Sequence, residues 1–181
     1  MNPFKWLINK AYSNLFTDEI EQNTILINNL NQQISDLKIA NEKLSIRKDI
    51  PQPAVLGTIT LKDCYALLQP LCSDIYLSDE YFSLTSKDKA LTFSEATKVQ
   101  YVDWIANDHD CDNFSFALLG YWSDSLKSFA FGIAWSNTHA FNLMIDNNKQ
   151  VWIVEPQSNK YYTLEEAKTN NLYFPLRMVI M

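Results

Sequence analysis

His139-Ala140-Phe141-Asn142-Leu143-Met144-Ile145-Asp146-Asn147-Asn148-Lys149-Gln150-Val151-Trp152-Ile153-Val154-Glu155-Pro156-Gln157 reads as two strands around a turn. Aromatic and β-branched residues fill both arms, and Asn-Asn-Lys divides them. How the turn closes decides which side chains share a face. With a two-residue Asn147-Asn148 loop, Asp146 pairs with Lys149 and Glu155 lies opposite Ala140, so His139 and Glu155 face opposite sides of the sheet. With Asn147, Asn148 and Lys149 all in the loop, Asp146 pairs with Gln150, Glu155 lies opposite Phe141, and Gln157 lies opposite His139. The three polar side chains then share a face, with His139 and Glu155 diagonal neighbours at roughly 7–8 Å. Asn tolerates the left-handed conformation such a loop requires, and a bulge in either strand would also restore the parity. Both registers are open to the sequence.

Working outward, Phe129 to Trp135 is a third run of the same composition, set off by Ser-Asn-Thr, and the three runs together predict an antiparallel meander. Just upstream, Phe114, Ala117, Leu118 and Tyr121 fall at the i, i+3, i+4, i+7 spacing of one helical face. Asp108 or Asp110 is then the N-cap and Cys111 stands at the helix mouth. Free N–H groups and the positive end of the helix dipole stabilise a thiolate there. Asp110 and Asp112 flank the thiol and oppose a further negative charge unless they point away or a cation neutralises them.

Other elements flank this centre. Thr60 with Asp63 resembles a capping box opening a helix through Leu68, which Pro70 closes. A loop-rich stretch follows, with Ile75, Tyr76, Tyr81, Phe82 and Leu84 as packing residues. Ser94 is expected to cap a second helix. A helical turn at Thr163 to Lys168 and a closing strand near Tyr173 to Val179 complete a helix-then-sheet order, which is α+β.

The N-terminal quarter is different in kind. Phe4, Leu7, Ile8, Ala11, Tyr12, Leu15 and Phe16 give residues 1–16 an apolar helical face, suited to docking on a partner or a larger assembly. With only Lys5 and Lys10 as charges, it has little pull toward anionic lipid. From Ile20 a heptad is legible, with Ile20, Ile27, Ile34 and Asn41 at one core position and Asn23, Leu30, Leu37 and Leu44 at the other. That predicts a coiled-coil stalk of about 40 Å at 1.5 Å per residue. Ile at a with Leu at d favours a parallel homodimer, and Ile25, Leu26, Ile39 and Ile46 widen the stripe enough to leave a trimer, or a helix folded back on its domain, open. Pro51 and Pro53 end the helix. The expected division is 1–50 as helix and oligomerising stalk, 51–59 as linker, and 60–181 as the α+β domain.

Composition narrows the function. The chain of 181 residues is 47% hydrophobic and 13% aromatic, enough for one full core and an appendage. A net charge of −6 and the lack of a basic stripe argue against nucleic acid. No signal peptide or membrane-spanning run is visible, so a cytoplasmic or virion-associated protein is expected. Cys64, Cys72 and Cys111 show neither a disulfide framework nor zinc spacing, and the first two read as buried apolar thiols.

A thiol nucleophile needs a base, and the base needs an orienting group. Of two histidines, His109 is too near Cys111 in sequence to present its ring readily, whereas His139 has a rigid mount at a strand start. Glu155 follows on the next strand. Cys111, His139 and Glu155 are therefore the candidate catalytic set.

Asp110-Cys111-Asp112-Asn113-Phe114, His139-Ala140-Phe141-Asn142 and Trp152-Ile153-Val154-Glu155-Pro156-Gln157 resemble the papain-like C-terminal domain of fungal agglutinins of the Marasmius type and related phage and bacterial cysteine-protease-like domains. That resemblance implies a papain-like fold. It also implies a peptidase acting through Cys111 as nucleophile, His139 as base and Glu155 as orienting acid, on a protein or peptide substrate. It further implies calcium, with Asp112, Glu155 and Gln157 as oxygen ligands. The expectation is a cysteine hydrolase held as an oligomer. Its alternatives are a structural or interaction protein such as a phage virion component, and a transglutaminase or amidase.

Overall fold

The computed structural model describes residues 3–181, with side chains at positions 4, 16, 17, 19–41 and 50–181. The chain divides into two compact units, Met1–Asp49 and Ile50–Met181.

The first unit is one helix, α1 (Pro3–Asp49), which stops just before Ile50-Pro51. Its described seam residues Ile20, Ile27, Leu30, Ile34 and Leu37 are 48 to 69% exposed, so among the described residues this part of the heptad stripe is uncovered. The docking role expected of residues 1–16 falls outside the described side chains apart from Phe4 and Phe16, both exposed. Among the described residues no helix is long and apolar enough to cross a membrane.

The second unit is mixed α+β, as expected. Its elements are β1 (Gly57–Thr60), α2 (Leu61–Leu68), β2 (Asp74–Tyr76), β3 (Tyr81–Leu84), α3 (Lys87–Ala96), a 3-10 turn (Val99–Tyr101), α4 (Cys111–Ser123), β4 (Phe131–Trp135), β5 (Ala140–Ile145), β6 (Val151–Glu155), β7 (Lys160–Thr163), α5 (Leu164–Lys168) and β8 (Met178–Ile180). β4 to β7 form the antiparallel meander. β8 pairs antiparallel with β4 and parallel with β2, giving a six-stranded order β2-β8-β4-β5-β6-β7. β1 and β3 make a separate two-stranded sheet, so β1 occupies residues 57–60, where the proline-rich reading expects linker.

Local chemistry explains most helix starts. The Thr60 hydroxyl accepts from the Asp63 N–H at 3.1 Å and opens α2. Thr163 and Glu166 cap α5 reciprocally. The expected cap at Ser94 is corrected: α3 begins after Ser86, whose hydroxyl accepts from the Lys89 N–H. Ser94 lies inside α3 with its hydroxyl 2.8 Å from that of Tyr161, and Lys98, at φ 58°, ends the run.

β5 is buried along its whole length. Phe141, Leu143 and Ile145 join a core with Ile59, Cys64, Leu68 and Phe82 from α2 and the small sheet. Met144 on the opposite face meets Phe114, Leu118 and Trp122 of α4 and Phe93 of α3. A strand covered on both faces reads as a continuous apolar run, and that is how it is written. Tyr76 and Tyr81, expected as packing residues, are exposed instead.

Where β4 meets β8 the backbones approach so closely that a Cβ at Gly132 would lie 2.2 Å from the Ile180 carbonyl oxygen. Gly132→Ala is therefore expected to lower unfolding free energy by about 2–3 kcal/mol, the cost of an overpacked core. Urea denaturation of both proteins checks it, and equal midpoints would show that β8 yields freely.

Candidate functional site

The hairpin closes through the second of the two registers. Asn142 pairs with Val154, Leu143 with Ile153, Met144 with Trp152 and Ile145 with Val151, and the Asp146 N–H donates to the Gln150 carbonyl at 2.9 Å. The left-handed residue is Lys149, at φ 60°, rather than an asparagine. Asp146 fixes this geometry. Buried at the turn, its carboxylate accepts from the Asn148 N–H at 2.8 Å, the Gln150 N–H at 2.9 Å and the Trp152 indole N–H at 3.0 Å.

The register has the consequence worked out from sequence: His139 and Glu155 meet. The ring Nε2 lies 2.7 Å from Glu155 Oε2, with both side chains largely buried. Ser136 mounts the histidine by accepting the N–H groups of Thr138 and His139, while its own hydroxyl donates to the Leu172 carbonyl. Glu155 is further held by the Tyr173 hydroxyl at Oε2 (3.2 Å) and the Gln157 N–H at Oε1 (3.3 Å). Burial, and then the charge of Glu155, push the Tyr173 phenol well above its usual range. The phenol therefore stays neutral and donates.

Cys111 is the first residue of α4, after the N-cap Asp110. The Asp110 N–H donates to Asn113 Oδ1 at 3.2 Å, and the Asn113 N–H to Asp112 Oδ1 at 2.9 Å. A hydrogen bond between the side chains of Asp110 and Asp112, with some burial, pushes the Asp112 carboxyl above its ordinary range. Cys111 is partly exposed, whereas Cys64 and Cys72 are buried as expected. Burial raises the Cys64 thiol to about 11.

Thiol and imidazole line one cleft of about 520 Å³, together with Asp110, Asp112, Trp135 and Arg177. The structure thus brings Cys111, His139 and Glu155 into one neighbourhood, with His139 between cleft and carboxylate. Asp112 lines the cleft while Glu155 and Gln157 do not. β6 ends at Glu155, so Gln157 lies beyond the strand, and both Glu155 oxygens already accept donors. Among the described residues no group of three or more His, Cys, Asp or Glu side chains could hold a metal ion. No step is routed through calcium.

Sequence reading missed Asp146, Tyr173, Trp135 and Arg177. An Asp before Asn-Asn is a legible Asx-turn signal. Tyr173 carried none, because its partner lies 18 residues upstream.

No family model and no curated protein matches the chain. Solved structures do. A PSL1a-E64 complex is 19% identical, with a TM-score of 0.58, over 68% of this chain and 51% of that one. The Polyporus squamosus lectin, solved bound to the human-type influenza-binding epitope Neu5Acα2-6Galβ1-4GlcNAc, is 20% identical, with a TM-score of 0.56, over 68% and 49%. The chain spans about half the length of these structures. At such identity the likeness is one of fold. It corrects the resemblance drawn from sequence, because these two neighbours are lectins. The cysteine hydrolase reading, with its peptidase, transglutaminase and amidase forms and its peptide substrate, is withdrawn on that ground.

Asp146→Ala leaves three donors without their acceptor, so it is expected to cost about 2–4 kcal/mol. Asp146→Asn keeps one acceptor oxygen and loses less. Thermal unfolding of the two variants beside the parent measures this, and an unchanged Asp146→Ala midpoint would remove the turn from its role in setting register.

Proposed function

We propose that the Ile50–Met181 unit is a ligand-binding domain working through the cleft, where Cys111 is a nucleophilic thiol, His139 its proton partner and Glu155 the acid that orients the ring. The observation that carries this reading is the 2.7 Å contact between His139 Nε2 and Glu155 Oε2. It engages one ring nitrogen, and His139 lines the same cleft as Cys111. What is proposed is stoichiometric binding, in which the thiol is reactive. Substrate turnover forms no part of it.

The neighbour solved with E64 supplies the probe. The whole chain is treated at neutral pH with E64 and, separately, with iodoacetamide, and adducts are located by peptide mass mapping. Cys111 is expected to label at least about tenfold faster than Cys64 or Cys72. Cys111→Ser should abolish labelling at this site and His139→Ala should slow it. Cys64, raised to about 11, should stay unlabelled until pH approaches that value. Equal rates at all three thiols would sink the reading.

A second reading concerns the ligand class. The fold is shared with a lectin solved with a sialylated epitope, and Trp135, Asn137, Thr138 and Arg177 line the cleft. An indole face suits a sugar ring, amide and hydroxyl groups suit its oxygens, and a guanidinium suits a carboxylate. We infer that a carbohydrate is the natural ligand. Titration calorimetry with that trisaccharide should give heat that Arg177→Ala and Trp135→Ala each reduce. No heat with the parent chain would exclude this glycan.

We also propose that α1 pairs with copies of itself as a coiled coil. Its uncovered heptad stripe supports this, and so do the largely uncharged flanking positions, which bring no like-charge repulsion between identical strands. Analytical ultracentrifugation should return a dimer or trimer mass, and Ile27→Asn with Leu30→Asn a monomer. A monomeric parent at micromolar concentration would refute the coil.

A further inference from the structure

We infer that the cleft is one end of a longer trough along α4, and that its ligand is an extended oligosaccharide rather than a single sugar. This rests on the carbohydrate reading of the cleft and gives it a second subsite at the far end of the helix.

A hollow of about 470 Å³ lies at the opposite end of α4. Both cavities have the size of small-ligand sites, and four elements run from one to the other. α4 supplies Cys111 and Asp112 to the cleft, then Leu119, Trp122 and Ser123 to the hollow. β8 follows the same course from Met178 to Ile180, and β4 runs back from Phe131 in the hollow to Trp135 in the cleft. β2 starts with Asp74 in the cleft and leads to Ser78 and Asp79 in the hollow. From Asp112 to Ser123 the helix rises about 16 Å at 1.5 Å per residue.

The stretch between the cavities carries exposed apolar side chains. Phe116, on α4 between Asp112 and Leu119, is 52% exposed, and its ring lies 5.9 Å from that of Trp135. Tyr76 and Ile180 are partners in the β2–β8 pairing and are both exposed. Side chains alternate along a strand, so these two share a sheet face with Asp74 and Met178 of the cleft, while Ile75 and Val179 turn to the core.

The hollow has the chemistry of a sugar site. Trp122, Phe129 and Phe131 line it together with four serines, Asp79 and Lys127. Trp122 is 3% exposed, and its indole N–H has no hydrogen-bond partner. Hydroxyls and a carboxylate suit the many hydroxyls of a sugar, and aromatic side chains suit its C–H faces. Charge argues against a polyanion, since Asp74, Asp79, Asp110 and Asp112 outnumber Arg177 and Lys127 along the trough. A glycan with one acid group at Arg177 and uncharged sugars beyond it fits.

Titration calorimetry on the full chain compares the trisaccharide Neu5Acα2-6Galβ1-4GlcNAc with the pentasaccharide that carries one more Galβ1-4GlcNAc unit at its reducing end. The pentasaccharide is expected to bind at least about tenfold tighter, the yield of one or two further ring contacts. Tyr76→Ala and Leu126→Ser should each cancel most of this gain and leave the trisaccharide affinity unchanged. Leu126 borders the hollow and is 98% exposed, so its replacement costs the fold little. Arg177→Ala should weaken both glycans alike. Equal affinities for the two glycans would overturn the trough and leave the cleft as a sugar site, as would a gain that survives both variants. If neither glycan binds the parent chain, the carbohydrate reading itself fails, and the trough with it.

Discussion

A single carboxylate at a turn governs what this domain can do. Asp146 gathers two backbone N–H groups and an indole N–H across the β5–β6 connection, and the pairing that results places Glu155 opposite Phe141. Side chains alternate along a strand, so a slip of one residue would move Glu155 to the other face and take it away from His139. There is no intermediate geometry. The site exists in one register and is absent in its neighbour, so the hydrogen bonds at Asp146 act on the site as strongly as any residue inside it.

Which parts of this were legible follows from the range of the interactions. Caps at Thr60 and Thr163 and the start of α4 at Asp110 are decided within a few residues, and the spacing of hydroxyl, amide and carboxylate groups displays them. The meander is legible for the same reason, since each strand carries its own composition. Register was narrowed to two choices and no further, because it turned on whether Lys149 would accept a left-handed backbone, and propensity alone pointed to asparagine there. The misplaced cap shows the opposite case. Ser94 resembles a helix start, but its hydroxyl is engaged by Tyr161, 67 residues away, and Ser86 takes the capping role. Tyr173 is beyond any local signal, for its part depends on the fold closing around Glu155. The family resemblance failed in another way. Short motifs singled out Cys111, His139 and Glu155, and His139 does meet Glu155, yet they did not determine what the whole protein resembles.

The two acidic clusters compensate their charge in different ways. A buried carboxylate is costly unless donors replace its water, and Glu155 has three: an imidazole nitrogen, a phenol and a backbone N–H. Beside the thiol the problem runs the other way, since Asp110 and Asp112 are like charges at close quarters. Their mutual hydrogen bond pushes Asp112 toward holding a proton, and a shared proton relieves repulsion without any ion.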